Sequence, residues 1–240
     1  MTHATSFGAA AGDYERGRPG YPADAVAWLL PASPGCVLDL GAGTGKLTSL
    51  VAEIAAEVVA VDPDSAMLES LTRALPTVET AAGRAEAIPL PDASVDGVVM
   101  GQAWHWVDPE LAAVEIARVL RPGGTLGLVW NIRDSREPWV ARLGDAMRGS
   151  AAEKLVEGDG PRVPPPLADL ERRTWEWSRP MSADDVRAMA RSRSHYITGD
   201  QQYRAQVERD VDAVLADAPS AHGEMSLPYV THAFRAVRPH

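Results

Sequence analysis

The chain has 240 residues, 45% hydrophobic and 23% charged, enough to bury a core without the disulfides or metal that very small domains need. Its lone cysteine, Cys36, cannot close an intrachain bridge, no Cys/His cluster has metal-ligand spacing, and so no metal and a reducing, cytoplasmic setting are expected. A net charge of -10 argues against nucleic acid as a partner, and the lack of any run of about 18 apolar residues or an apolar leader in Met1–Pro22 argues against a spanning helix or signal peptide.

From Cys36 to Asn131, short β-branched runs alternate with helical patterns. Val37–Leu40 reads as a buried strand that ends in the turn Gly41-Ala42-Gly43-Thr44-Gly45. Leu47, Leu50, Val51 and Ile54 follow at the spacing of one helix face. Val58–Val61 predicts a second strand, and Asp62-Pro63 opens a second helix whose inner face carries Leu68, Leu71 and Leu75. Val78–Ala82 predicts a third strand and Val95–Met100 a fourth, after the turn Pro91-Asp92-Ala93-Ser94. Ala113, Ile116, Ala117 and Leu120 mark a third helix, stopped by Pro122-Gly123-Gly124. Thr125–Trp130 is a fifth strand. Further on, Val156–Pro166 reads as a loop, Asp184–Ser192 and Gln201–Asp217 as helices, and Leu170–Trp177 and Met225–Phe234 as strands. Pro228 marks the last of these as an edge or bulged strand. Strands apolar throughout and separated by helices imply a parallel sheet covered on both faces.

A glycine turn that leaves a strand and opens a helix lets a ligand approach free backbone N–H groups. A phosphate-binding loop would need four residues between its glycine and Gly-Lys; here Gly41 and Gly45 enclose three, and Leu47 follows Lys46. A dinucleotide fingerprint would read Gly-x-Gly-x-x-Gly, whereas this turn is Gly-x-Gly-x-Gly with Asp39 just ahead of it. An acid there suits a ligand that carries an ammonium group rather than a pyrophosphate. Asp62, about 20 residues beyond the first glycine, stands where an acidic side chain reaches ribose hydroxyls.

Val37 to Gly45 resembles the first motif of class I S-adenosylmethionine-dependent methyltransferases. Val61-Asp62-Pro63-Asp64 with Met67-Leu68 resembles the second motif. Gly83 to Asp92 followed by Val95-Asp96 resembles the adenine-side motif, and Arg118 to Gly124 the segment before strand five. Together these cover about residues 10 to 135. The resemblance implies a Rossmann-like, mostly parallel seven-stranded sheet with helices on both faces, an antiparallel C-terminal strand and helical lid elements. It implies one domain over 1–240, with a lid segment at 1–34, a cofactor-binding core at 35–131, and sheet completion with an acceptor-site cap at 132–240. S-adenosylmethionine, with S-adenosylhomocysteine as product, would rest on Asp39, Gly41, Ala42, Gly43, Asp62, Pro63, Met67, Ala85, Glu86, Gln102 and Trp104. Where many relatives carry an acid this chain has Arg84, so adenine recognition falls to backbone groups of Ala85 or to the Glu86 side chain.

After strand four the chain reads Gly101-Gln102-Ala103-Trp104-His105-Trp106-Val107-Asp108. A His-Trp pair at this place, a Tyr…Arg-Pro-x-Tyr-Pro segment (Tyr14, Arg18 to Pro22), a Trp-Asn after strand five (Trp130-Asn131) and a Ser-Arg-Ser stretch (Ser192 to Ser194) resemble a subgroup typified by trans-aconitate methyltransferase. Methyl transfer is an in-line displacement that gains chiefly from positioning. His105 either takes a proton from the acceptor or merely hydrogen-bonds backbone, and Trp104 and Trp106 pack either the adenine or the acceptor. A carboxylate acceptor would need no base, only a cation such as Arg18, Arg133 or Arg193. Tyr14, Arg18, Trp106, Asn131 and Arg133 are the candidate acceptor residues. The expected activity is methylation of a small molecule at oxygen, a carboxylate among the options, or at nitrogen. A non-catalytic S-adenosylmethionine-binding regulator and a nicotinamide-dependent oxidoreductase are the alternatives.

Overall fold

The computed structural model describes residues 17–240. Tyr14 lies outside them. Seven strands, β1 (Cys36–Leu40), β2 (Glu57–Asp62), β3 (Glu79–Ala82), β4 (Val95–Gly101), β5 (Leu120–Arg133), β6 (Ala168–Ser182) and β7 (Glu224–Val237), form a single sheet in the order β3-β2-β1-β4-β5-β7-β6. Six run parallel, and β7 is antiparallel. Helices surround the sheet: α1 (Ala23–Leu29), α2 (Lys46–Val51), α3 (Ser65–Ala74), α4 (Pro109–Val119), α5 (Pro138–Ala146), α6 (Ala151–Glu157), α7 (Ala183–Arg191), α8 (Ser194–Thr198) and α9 (Gln201–Asp217). This is the expected Rossmann-like architecture.

The chain divides into two compact units. The larger comprises Gly20–Trp130, Leu155–Trp175 and Thr231–His240; the smaller takes Asn131–Lys154, Glu176–Val230 and the described residues before Gly20. In the larger unit the fully buried Val37, Val99, Val129 and Leu71 pack with Val26, Leu29 and Leu47. Thr125 Oγ1 donates to the Leu29 carbonyl at 3.0 Å, so a buried polar tie fixes the end of α1 against β5. The smaller unit has its own core of Trp139, Leu143, Met181, Val186, Met189, Val207, Leu227 and Tyr229. Among the described residues no helix is long and apolar enough to cross a membrane.

Local chemistry explains the helix starts. Asp64 accepts from the Ala66 N–H at the head of α3, and Asp108 accepts from Glu110 and Leu111 with Pro109 in the first turn of α4. Ser182 and Asp185 form a reciprocal capping box at α7.

Three expectations are corrected. Pro122-Gly123-Gly124 does not precede β5 but lies within it; the strand runs from Leu120 to Arg133, and the register slips between Val95↔Leu120 and Gly97↔Thr125. The extra residues are looped out where Pro122 has no N–H to give and Gly123 takes φ +80°. Of the two readings of Pro228, the edge strand is excluded, for β7 lies between β5 and β6. Pro228 contributes only its carbonyl, which accepts from the Asp134 N–H at 2.9 Å just past the end of β5. The edge is β6, longer than the predicted Leu170–Trp177 and exposed along most of its length. Finally, Val156–Pro166 is not all loop, because α6 runs on to Glu157.

Candidate active site

Parallel pairing brings four strand ends together in the larger unit. Leu40 is opposite Val61, Asp62 opposite Ala82, and Gly101 opposite Val129. The segments that leave the ends of β1, β2 and β4 (the glycine turn, Asp62–Asp64 and Gln102–Trp106) are therefore neighbours on the carboxyl edge, where α/β sheets hold ligands, with Trp130 of β5 next along.

The glycine turn owes its shape to positive φ at Gly41 (+76°), Gly43 (+57°) and Gly45 (+91°). The N–H groups of Gly41 and Ala42 both donate to the Val61 carbonyl, at 2.8 and 3.2 Å, which folds the turn back over β2. A Cβ at Gly41 would lie 2.8 Å from Cβ of Ala103, so the turn after β4 is seated on the glycine turn. At Gly43 a Cβ would meet nothing within 4 Å: this flank of the turn is open to a ligand.

Two buried carboxylates lie beneath the turn. Asp39 is fully buried; Oδ2 accepts from Thr48 Oγ1 at 2.6 Å, while Oδ1 has no hydrogen-bond partner. Burial pushes its carboxyl up to about 7, and the Thr48 bond only partly opposes the shift. An unmet acceptor of this kind suits a ligand cation such as an ammonium group. Asp62 Oδ2 accepts from the Gly43 N–H at 2.9 Å and Oδ1 from the Asp64 N–H at 2.8 Å. Burial raises this carboxyl too, against those two bonds and with some help from the charge on Asp64. Each oxygen keeps a second lone pair, so the carboxylate can still accept from a hydroxyl. Pro63 is exposed and Met67 buried beside it.

Ala85 is buried, and the Glu86 carboxylate is fixed in place: Oε1 accepts from the Asp108 N–H at 3.0 Å and Oε2 from Arg84 Nε at 3.4 Å. The loop is braced from beneath by Arg118, which donates to the carbonyls of Ile88 and Leu90 and to the carboxylates of Asp92 and Glu115.

Gln102 stands at φ +57° and donates its N–H to Val129, a rare conformation for a side chain to hold at a strand end. The next residues form a 3₁₀ turn, Trp104–Trp106. Trp104 is buried and its Nε1–H donates to the Arg162 carbonyl at 3.2 Å, whereas Trp106 is 45% exposed. His105 lies against Trp106 with ring centroids 4.8 Å apart and the planes tilted by 42°, and its Nδ1 accepts from Trp130 Nε1–H at 3.4 Å. Two residues of the motifs noted in the sequence, though not among the predicted site residues, also reach the site: Trp130, which holds His105, and Tyr21, whose hydroxyl lies against Gly101 so closely that a Cβ there would be 2.6 Å away.

In the smaller unit, Arg133 and Arg193 meet at Glu153, and Arg18 lies close to Arg193. Arg133 Nη2 donates to Glu153 Oε1 at 2.6 Å; Arg193 Nη2 reaches Oε2 at 3.3 Å and the Gly149 carbonyl at 2.6 Å. Arg18 Nη2 donates to the Ser192 carbonyl at 3.4 Å. Arg133 Nε is buried without a hydrogen-bond partner. Burial, with Arg133 and Arg18 nearby, lowers Arg193 to about 9, which still leaves it charged at neutral pH. Burial alone would raise Glu153, but Arg133 and Arg193 hold it below the usual range. Tyr229, stacked on Trp177 at 5.1 Å, feels the same arginines, yet burial keeps its hydroxyl above the ordinary value. Asn131 is buried. Glu153 and Tyr229 are not legible in the sequence, since neither stands in a motif. Among the described residues no group of His, Cys, Asp or Glu could hold a metal ion.

Residues 38–128 match the family described as Methyltransferase domain. An uncharacterized methyltransferase of Mycobacterium tuberculosis is 48% identical over 234 residues, which span 97% of this chain and 95% of that protein. An uncharacterized methyltransferase-like protein of Schizosaccharomyces pombe is 33% identical over 94% of this chain and 93% of its own. Among solved structures, a methyltransferase from Anaeromyxobacter dehalogenans superposes with a TM-score of 0.64 at 27% identity, over 93% of this chain and 99% of that one. A seven-stranded sheet of this order, a glycine turn over two buried carboxylates, and relatives of this kind along almost the whole length lead to one conclusion: the chain belongs to the S-adenosylmethionine-dependent methyltransferases.

Proposed function

We propose that this enzyme methylates a small molecule that carries a carboxylate, at oxygen, with nitrogen as the other acceptor atom. The observation that carries the reading is the Arg18–Arg133–Arg193 cluster of the smaller unit, whose positive charge Glu153 offsets only in part. Buried guanidiniums with an unmatched N–H are matched by a planar anion. The acidic surface as a whole supports a small acceptor over nucleic acid.

S-adenosylmethionine supplies a methyl group on a sulfonium. Asp39 would hold its ammonium group, Asp62 its ribose hydroxyls, and the open flank at Gly43 would receive the backbone of the ligand. Gln102 and Trp104 close the site from β4, and Ala85 takes the adenine side. Transfer forms one bond from the acceptor atom to the methyl carbon and breaks the carbon–sulfur bond, whose electron pair stays on sulfur. A carboxylate enters with its lone pair ready and releases no proton, so the residues of the chain need only bind, orient and exclude water.

Calorimetric titration with S-adenosylmethionine, S-adenosylhomocysteine and nicotinamide cofactors, followed by a labelled-methyl screen of small acids, alcohols and amines, tests this reading. Tight S-adenosylmethionine binding with turnover on acids supports it. Turnover confined to uncharged acceptors sinks the carboxylate, and binding with no turnover on any class points to a regulator instead.

A further inference from the structure

The buried indole of Trp130 has no solvent exposure and lies edge-on to Phe234, with centroids 5.8 Å apart at 81°. An indole N–H can only donate, and when buried it needs an acceptor. That acceptor is Nδ1 of His105. The imidazole has little freedom to turn away. Its backbone is held in the 3₁₀ turn by Trp106 N–H to the Ala103 carbonyl at 3.0 Å, the neighbouring Trp104 is anchored through its own indole to Arg162, and the turn as a whole sits on Gly41 through Ala103.

A neutral imidazole has one N–H and one lone pair. If the lone pair at Nδ1 receives the indole N–H, the proton is on Nε2. We propose that Trp130 is a positioning residue that fixes His105 as the Nε2–H tautomer, so that at the end of β4 the ring gives a hydrogen bond and does not act as a general base. The alternative tautomer would set an imidazole N–H against the indole N–H. The protonated ring would do the same to the buried indole.

This deepens the proposed function and rests on it in one respect, that the acceptor is used at this edge of the sheet. An acceptor served by His105 must then arrive with its lone pair already available, as a carboxylate does, since the ring has no lone pair at Nε2 with which to take a proton. The Nε2–H would orient an acceptor oxygen in place of deprotonating it. The role differs from the proton-taking role open to His105 on sequence grounds.

The first arm of the test needs no acceptor. Protein labelled with ¹⁵N at the histidine rings is studied by long-range ¹H–¹⁵N correlation at neutral pH, with the His105 signals assigned by their loss in His105→Gln. Wild type should show a bare Nδ1 and a protonated Nε2, and Trp130→Phe should show a mixture of tautomers. An Nδ1–H ring or an imidazolium in the wild type would overturn the proposal. The second arm uses whichever acid the methyl screen identifies. His105→Ala should lower kcat about tenfold, the scale of one hydrogen bond, and His105→Gln, whose amide N–H stands in for Nε2–H, should restore most of that loss. If Gln is as impaired as Ala, and both by about 100-fold or more, His105 is a base and the proposal fails. A screen that finds no acceptor would count against the proposed function, while the tautomer read from the ring nitrogens would still support or overturn the role of Trp130.

Discussion

Asp62 accepts a hydrogen bond from the backbone N–H of Gly43 at 2.9 Å, across 19 residues of sequence. A residue expected to serve only the ligand therefore also shapes the loop that the ligand meets. Asp62→Ala should remove both contributions, and we expect S-adenosylmethionine affinity to fall by about 30- to 100-fold, with Asp62→Asn in between. Titration calorimetry on the two variants reads this directly. Equal, small losses in both would mean that neither the charge nor the loop matters.

Asp39 predicts a pH dependence of stability. Its carboxyl is raised from 3.8 to about 7 in the folded chain, so the folded state holds the proton more tightly. For a raised acid the sign is unfavourable: this group's contribution is best below pH about 4, declines as pH rises toward 7, and is level above that. Asp39→Asn keeps a partner for Thr48 and removes the charge. At pH 8, without ligand, the variant should be more stable by ~1–3 kcal/mol in urea unfolding, and it should bind S-adenosylmethionine more weakly. An Asn variant less stable than wild type at pH 8 would refute the account.

The braced adenine-side loop rests on Arg118, which bonds two carbonyls and two carboxylates. Arg118→Ala leaves the Ile88 and Leu90 carbonyls and the half-buried Glu115 short of partners. We expect a loss of about 2 kcal/mol and faster amide exchange across residues 84–92, with the glycine turn unaffected. Hydrogen exchange by mass spectrometry would separate this local loosening from a general one.

Glu153 and Arg193 form a coupled pair whose members are each mostly buried. Removal of either charge strands the other, so Arg193→Gln and Glu153→Gln should each destabilise by about 2–4 kcal/mol. The double variant should cost less than their sum, by a coupling of about 1–3 kcal/mol. Strict additivity in chemical denaturation would show that the two do not act together.

The larger unit is readable because each of its strands carries its own signal. β1, β2 and β4 are short apolar runs bounded by glycine or an acid, and the caps Asp64 and Asp108 stand just ahead of their helices. β5 is legible but its start is not, since a proline within a strand reads as a stop unless its looped-out register is known. Pro228 misleads differently: a proline suggests an edge, yet β7 lies inside the sheet between β5 and β6. The smaller unit is harder to read. Its helix α5 begins at Pro138 with no side-chain cap, and α8 is five residues long. In the site, Asp39, Asp62 and the glycines are visible by spacing along one strand-turn-helix unit. The partners Trp130–His105 and Arg133–Glu153 are 25 and 20 residues apart in unrelated segments, so only the folded chain reveals them.

The unmet Oδ1 of Asp39 has a consequence for how long the protein survives in a cell. A chain that folds around an unsatisfied buried acceptor gives up stability whenever its ligand is absent and regains it on occupancy, because the unfolded chain has no such site. Proteases act on the fraction that opens, and that fraction would shrink with the methyl donor bound at Asp39. On that footing, if the methyl donor meets Oδ1, the abundance of the enzyme should rise with the supply of methyl donor.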